Sequence, residues 1–413
     1  MSSQESTILK GSLIAFAFAM LLIPFSSAQT YTVIHRFTGA PDGNTPYQGV
    51  LQDSNGNLYG TTFLGGNQNC ASYPGCGTVY KIDSQGKEII LHNFGLEGGQ
   101  QIPPAPYIDF LDEGSNLYGA TVQGGEFGLG SAFALSPSGG YKVVHNFTGG
   151  AQGLEPGLFA RDASGNLYGT TVSGGNSTQS GVLFRLNPSG KESVLYTYNC
   201  PECDGQNGVG FGNSGGLIVS GHTLYGVAAG GTTNSGVVYK IDFNGQATVL
   251  YNFQGGTDGW DPEGPLVRDS AGNLYGVTAN PDGSFCSSDG CGNVFKIDPQ
   301  GNETVLFTFQ DGPEGGHPNG GLVRDSQGNL YGTTWNGGSG AKSCGDPYGR
   351  GCGVVFKIDP SGNETVLYTF LSELGGGYPN GDLIMDSSGN LYGTTTSGGN
   401  PKCKCGVVFR LTP

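Results

Sequence analysis

Apolar residues in this chain come in short runs separated by turn residues, and four such runs form a unit that recurs along its length. The sixth copy serves as the reference. Its runs are Gly321-Leu322-Val323-Arg324-Asp325, Asn329-Leu330-Tyr331-Gly332-Thr333-Thr334, Val354-Val355-Phe356-Lys357-Ile358 and Thr365-Val366-Leu367-Tyr368-Thr369-Phe370. Stretches this short, rich in Val, Phe, Tyr and Thr and bounded by Gly, Pro, Asn and Asp, predict β-strands. Their nearly continuous apolar character suits sheets covered on both faces. Ser326-Gln327-Gly328 and Pro360-Ser361-Gly362 predict tight turns after the first and third strands, and a longer loop through Gly337-Gly338 joins the second to the third.

The Tyr-Gly pair of the second strand falls at Tyr59, Tyr118, Tyr168, Tyr225, Tyr275, Tyr331 and Tyr392, with gaps of 59, 50, 57, 50, 56 and 61 residues. Seven copies at this period, with no helical periodicity, predict a solenoid or a propeller. The two ends of the chain decide between them. The last copy stops at Gly406-Val407-Val408-Phe409-Arg410-Leu411-Thr412-Pro413 and lacks a fourth strand, while Tyr31-Thr32-Val33-Ile34-His35-Arg36-Phe37 supplies one near the start. A strand from one end completing the sheet at the other closes a ring and removes exposed edges. The expected fold is therefore all-β, a seven-bladed propeller of four-stranded blades. Its short turns gather on one face and its long, variable loops on the other, where a rigid scaffold presents changeable chemistry.

Residues 1–28 read differently. Lys10, the apolar run Leu13 to Phe25 and then Ser26-Ser27-Ala28 predict a signal peptide cleaved after Ala28, too short to span a bilayer. The propeller then occupies 29–413 as one domain. Charged residues make up 12% of the chain and the net charge is -15, which argues against nucleic acid and anionic membrane partners. Export also suits the ten cysteines, which fall in local pairs: Cys70/Cys76, Cys200/Cys203, Cys286/Cys291, Cys344/Cys352 and Cys403/Cys405. Disulfides are the expected reading. Zinc is the alternative, but only Cys200-Pro201-Glu202-Cys203 has ligand-like spacing and no second pair accompanies it.

The recurring Pro, Gly-Leu, Asp-x-x-Gly-Asn-Leu-Tyr-Gly-Thr-Thr, Gly-Gly, Gly-Val-Val-Phe-Lys and Val-Leu-Tyr-Thr-Phe elements resemble the GloVer-type tandem repeat over nearly all of residues 31 to 413. The second and fourth copies depart from it: Ala120 and Ala134 replace Thr and Lys, and Ser220-Gly221-His222-Thr223 replaces the Asp turn. The resemblance implies an exported bacterial protein, here secreted or periplasmic rather than anchored. It brings no catalytic residues with it.

Candidate chemistry is sparse. The repeated Asp53, Asp112, Asp162, Asp269, Asp325 and Asp386 are expected to cap turns with their own side chains. His35, His92 and His145 stand where other copies have Tyr or Phe, so they are expected to be ring-for-ring replacements. Gly212-Asn213-Ser214-Gly215-Gly216 satisfies GxSxG without the strand-turn-helix setting that a nucleophile needs. The two tryptophans, Trp260 and Trp335, fall on the long-loop side of neighbouring blades, with Asp258, Asp261, Asn336 and His317 near them in sequence. An aromatic platform rimmed by carboxylates and amides suits a sugar, whose faces are apolar and edges hydroxylated. The expected function is a monomeric, non-enzymatic binding propeller for a glycan or other extracellular molecule. A carbohydrate-active lyase or hydrolase using loop carboxylates is the alternative, and a structural envelope or matrix protein a third. No cofactor is expected; calcium held by loop Asp and Asn oxygens is conceivable, though without a motif.

Overall fold

In the computed structural model each repeat forms one antiparallel sheet, and seven sheets form the ring. The structure describes residues 29–413 except 68–69, 71–73, 96–104, 113, 178, 199–215, 280–289, 340–343 and 345–350, and leaves undescribed the side chains of 158 and 159. The expected leader, Cys200, Cys203, Cys286 and most of the GxSxG stretch lie outside the described residues.

Blade five is representative, with strands Trp260–Arg268, Leu274–Ala279, Asn293–Ile297 and Glu303–Thr308 in that order across the sheet. In blades six and seven the first strand is broken in two; Gly316–Pro318 and Val323–Arg324 both pair with Leu330–Asn336. The fourth strand of blade seven is Thr30–Arg36, which pairs with Val407–Thr412 from Thr30 opposite Thr412 to Arg36 opposite Val407. The ring is thus closed by the N-terminal strand, as the two ends of the sequence predict.

The repeated Asp does cap its turn. Asp325 accepts hydrogen bonds from Asn329 N and Asn329 Nδ2, at 2.8 and 2.6 Å, and from the Tyr331 hydroxyl at 3.0 Å. These turns therefore tie the second strand's tyrosine back to the end of the first. The third-strand basic residues do not pair with these carboxylates. Lys81 and Lys357 instead lie over the Tyr59 and Tyr331 rings of their own blades, 5.6 and 6.0 Å from the centroids.

The core sits between blades. The buried apolar residues group into seven clusters, each shared by two consecutive blades; Phe37, Tyr80 and Val408, for instance, meet between blades seven and one. Every junction carries an aromatic pair of the same kind. The ring that ends a fourth strand meets, edge to face, the third-strand ring of the next blade, as in Phe309 with Phe356 at 5.0 Å and Phe370 with Phe409 at 5.4 Å. Such pairs contribute about 0.5–1.5 kcal/mol beyond their burial.

A second contact locks the junctions. At six of the seven junctions the glycine before the third strand receives the proline that opens the next blade; a Cβ on Gly353 would lie 2.9 Å from Pro379 Cδ, and one on Gly406 2.7 Å from Pro46 Cδ. This is why Cys76, Cys291, Cys352 and Cys405 each precede a glycine. Cys70–Cys76, Cys344–Cys352 and Cys403–Cys405 are disulfides, and Cys291 is also disulfide-bonded. They brace the long loops beside that docking point.

Candidate functional site

Antiparallel blades send the connections after their first and third strands to one face and the rest to the other. The long-loop face is shaped by the residue that precedes each blade-opening proline. Thr45, Ala105, Glu155, Asp261, His317 and Tyr378 all have left-handed backbone, with φ between 48° and 58°. This conformation costs roughly 1–2 kcal/mol for a residue with a Cβ. It is held by hydrogen bonds from loops of the preceding blade: Asp261 N donates to Ser235 O, His317 N to Cys291 O and Tyr378 N to Cys352 O, at 2.9, 2.8 and 2.8 Å.

Past the proline, the chain turns towards the axis, where first strands of successive blades meet. The Asn319 amide of blade six donates to Asn380 Oδ1 of blade seven, and Asn380 Nδ2 donates to Tyr47 O of blade one at 3.1 Å. Ile108 N of blade two then donates to Gln48 Oε1 at 3.1 Å, while Gly321 N donates to Asp382 Oδ1. A polar belt thus runs across four blades around the channel mouth. The residues just after the blade-opening proline supply it, as Tyr47 and Gln48 do after Pro46 and Asn380 to Asp382 do after Pro379.

Titratable groups on this belt and on the matching stretch of blade five are perturbed. Burial, and then the neighbouring Asp261 carboxyl, push Glu263 up to about 7. Burial raises Asp261 and Asp382 as well, the latter against the hydrogen bond from Gly321. Tyr107 rises to about 12 through burial, with Tyr47 and Asp109 adding to the shift. A carboxyl group that titrates near neutrality beside a second acid can give or take a proton.

The six residues singled out from sequence do not form one platform. Trp260 starts the first strand of blade five and is 38% exposed, with its ring against Gly255. Trp335, on the second strand of blade six, is half-buried with its ring 5.3 Å from Tyr378 of blade seven. No ring contact joins the two tryptophans. Asp258 is occupied as a loop cap, accepting from Gln254 N and from the Tyr251 hydroxyl. Asn336 and His317 are buried. Asp261 is half-buried and acts electrostatically on Glu263.

Sequence reasoning missed the rest of the face. Tyr47, Phe127, Leu371 and Leu374 are exposed there together with Trp260; among the described residues, the other large exposed hydrophobics are Ile89 and Val194, on fourth strands. The belt residues Tyr107, Glu263, Asn319 and Asn380 also escaped notice. Their signal was the variable stretch that follows the blade-opening proline. Two clefts lie elsewhere, on the short-turn side: one of about 500 Å³ between blades two and three, around Tyr118 and Arg161, and one of about 720 Å³ between blades seven and one.

A family model described as the Gloeobacter/Verrucomicrobia repeat matches residues 22–228 and 203–349. The chain belongs to that family. No curated protein matches it. Among solved structures, this Gloeobacter/Verrucomicrobia repeat protein is similar to virginiamycin B lyase from Staphylococcus aureus, with a TM-score of 0.58 and 12% identity over 93% of this chain and 99% of that one. It is also similar to the extracellular domain of a putative hybrid two-component system from B. thetaiotaomicron, with a TM-score of 0.55 and 12% identity over 93% of this chain and 41% of that one. At such identity the likeness is one of fold, not of chemistry. The disulfides are compatible with an exported Gloeobacter/Verrucomicrobia repeat protein, and among the described residues no helix is long and apolar enough to cross a membrane.

Proposed function

We propose that this is an exported propeller that binds a glycan on its long-loop face, at the mouth of the central channel. The observation that carries this reading is that five large exposed apolar side chains, Tyr47, Phe127, Trp260, Leu371 and Leu374, lie on the long-loop face, which also carries the belt of amides and carboxyls. Exposed apolar side chains concentrated on one face mark it as the surface for a partner. Rings flanked by Asn and acidic side chains match the apolar faces and hydroxylated edges of sugars. The test is a glycan array and cell-wall pull-down with tag-free protein, followed by titration of any hit. Trp260→Ala and Asn380→Ala are expected to weaken binding at least about tenfold, the loss of about 1.4 kcal/mol. No hit in either screen, or hits unaffected by both changes, would reject the proposal.

Glu263 supports a second reading, that the bound sugar is also cleaved. A carboxyl near pH 7 beside Asp261 suits general acid or base work in a lyase or hydrolase. Turnover of an array hit that disappears in Glu263→Gln, while binding persists, would establish this reading. Binding without turnover would leave the protein a lectin-like propeller.

A further inference from the structure

At several junctions a carboxyl from the blade-to-blade loop faces a glutamate that starts the next blade's fourth strand. Asp258 faces Glu303 and Glu314 faces Glu364; burial, and then the first-named acid, raises each partner's affinity for protons. The ring between them is Tyr251 in one case and Phe307 in the other. At the seam between blades seven and one the acids are Asp42 and Glu88, and the ring position holds His35. His35 Nε2 lies 3.3 Å from Asp42 Oδ1 and 3.8 Å from Glu88 Oε1. All three donor atoms fall within 4.8 Å of one another, and among the described residues no other such group of three occurs. Two ligands each 2.0–2.1 Å from a tetrahedral cation stand about 3.3 Å apart, so the spacing fits a zinc-sized ion.

An independent observation points into the same place. Most blades have Phe at the third-strand position that fills the junction, but blade one has Tyr80. Its ring is fully buried and its hydroxyl has no hydrogen-bond partner, although Glu88 and Asp42 both act on it electrostatically. The other tyrosine at this position, Tyr239, satisfies its hydroxyl on Tyr198 at 2.9 Å. Glu88 Oε1 is likewise buried without a hydrogen-bond partner, as Glu303 Oε1 and Glu364 Oε1 are at the other seams, so the Tyr80 hydroxyl is what sets this seam apart. An orphaned hydroxyl beside two carboxyls and an imidazole needs a polar occupant, since a buried unmade hydrogen bond costs roughly 1–3 kcal/mol.

We propose that His35, Asp42 and Glu88 bind a divalent transition-metal cation of the zinc class at the seam, with the Tyr80 hydroxyl bonded to the water that completes its coordination. Each ligand is held by a different piece of structure: His35 by the closing strand, Asp42 by a loop in which Thr38 N and Oγ1 donate to its Oδ2 at 2.8 and 2.9 Å, and Glu88 by blade one. The site therefore forms where the closing strand meets blade one.

The test uses chelator-treated, tag-free protein titrated with Zn²⁺ by calorimetry, and with Co²⁺ to read tetrahedral coordination from its visible spectrum. His35→Tyr restores the ring present in other blades and so should fold; Glu303→Gln alters an equivalent pair that lacks the nitrogen. One zinc per chain is expected, with binding more than about 100-fold weaker in His35→Tyr, roughly tenfold weaker in Tyr80→Phe, and unchanged in Glu303→Gln. Zinc should also raise the melting temperature of the parent protein but not of His35→Tyr. Failure of the parent to take up zinc, or equal uptake by His35→Tyr, would overturn the proposal.

Discussion

The glycine of the recurrent Tyr-Gly pair shows how one residue type is fixed by its neighbour across the sheet. Gly332 lies opposite Phe356, and a Cβ added to it would sit 2.5 Å from the ring's Cζ. That ring is the one that meets Phe309 from the preceding blade, so it has no room to retreat. Gly332→Ala is therefore expected to destabilise the protein by about 1–3 kcal/mol, as overpacking does, measurable by urea unfolding. A destabilisation below about 0.5 kcal/mol would show that the junction is loosely filled. The capping Asp was legible from its turn; its bond to the Tyr hydroxyl six residues on was not, because nothing local marks it. His35 also exceeded its expected role, for the same reason: Asp42, Glu88 and Tyr80 come together only once blades seven and one abut.

At the scale of elements, strand identity and order were readable because each blade repeats the same four runs and turns. The boundaries shifted where tertiary contacts took over. The first strand of blade six is interrupted between Pro318 and Val323, where its chain bonds to blade seven at the axis rather than to its own second strand. The candidate site suffered more. Trp260 and Trp335 were correctly placed on blades five and six, yet the proline between Asp261 and Glu263 turns the neighbouring chain inward and leaves the tryptophans apart. The fourth strands also make predictions. Phe309→Ala removes the edge-to-face pairs with Phe307 and Phe356 and opens a void in the fully buried junction, and a loss of about 3–5 kcal/mol is expected in chemical denaturation.

For the molecule as a whole, two sets of carboxyls set opposite limits on pH stability. The capping Asp residues hold their protons weakly, because hydrogen bonds from Asn and Tyr outweigh burial. Their contribution is present above the ordinary carboxyl range, near 4, and is lost as pH falls below it. Glu263, Glu303 and Glu364 are the reverse, each raised to about 7 by burial and then by a neighbouring acid. The folded state binds their protons more tightly than the unfolded, so stability falls as pH climbs from about 4.5 to 7. A melting temperature that peaks between about pH 4 and 6 is expected, and Glu303→Gln should raise it at pH 8 while leaving it unchanged at pH 4. A flat profile from pH 5 to 8 would contradict this.

The closing strand also dictates an order of events. Thr30–Arg36 is made first, yet its partner Val407–Thr412 is made at the far end of the repeats. The inner blades can form from contacts close in sequence, whereas blade seven must wait while its two parts diffuse together across the whole chain, the slowest kind of pairing to establish. Until then the molecule is an open arc with two raw sheet edges, each able to accept a strand from another copy. If the chain is exported as its leader suggests, the interval between translocation and clasping is when it is most exposed to misassembly. Refolding a version lacking residues 29–37 should extend that interval indefinitely, giving concentration-dependent aggregation where the full ring gives monomer.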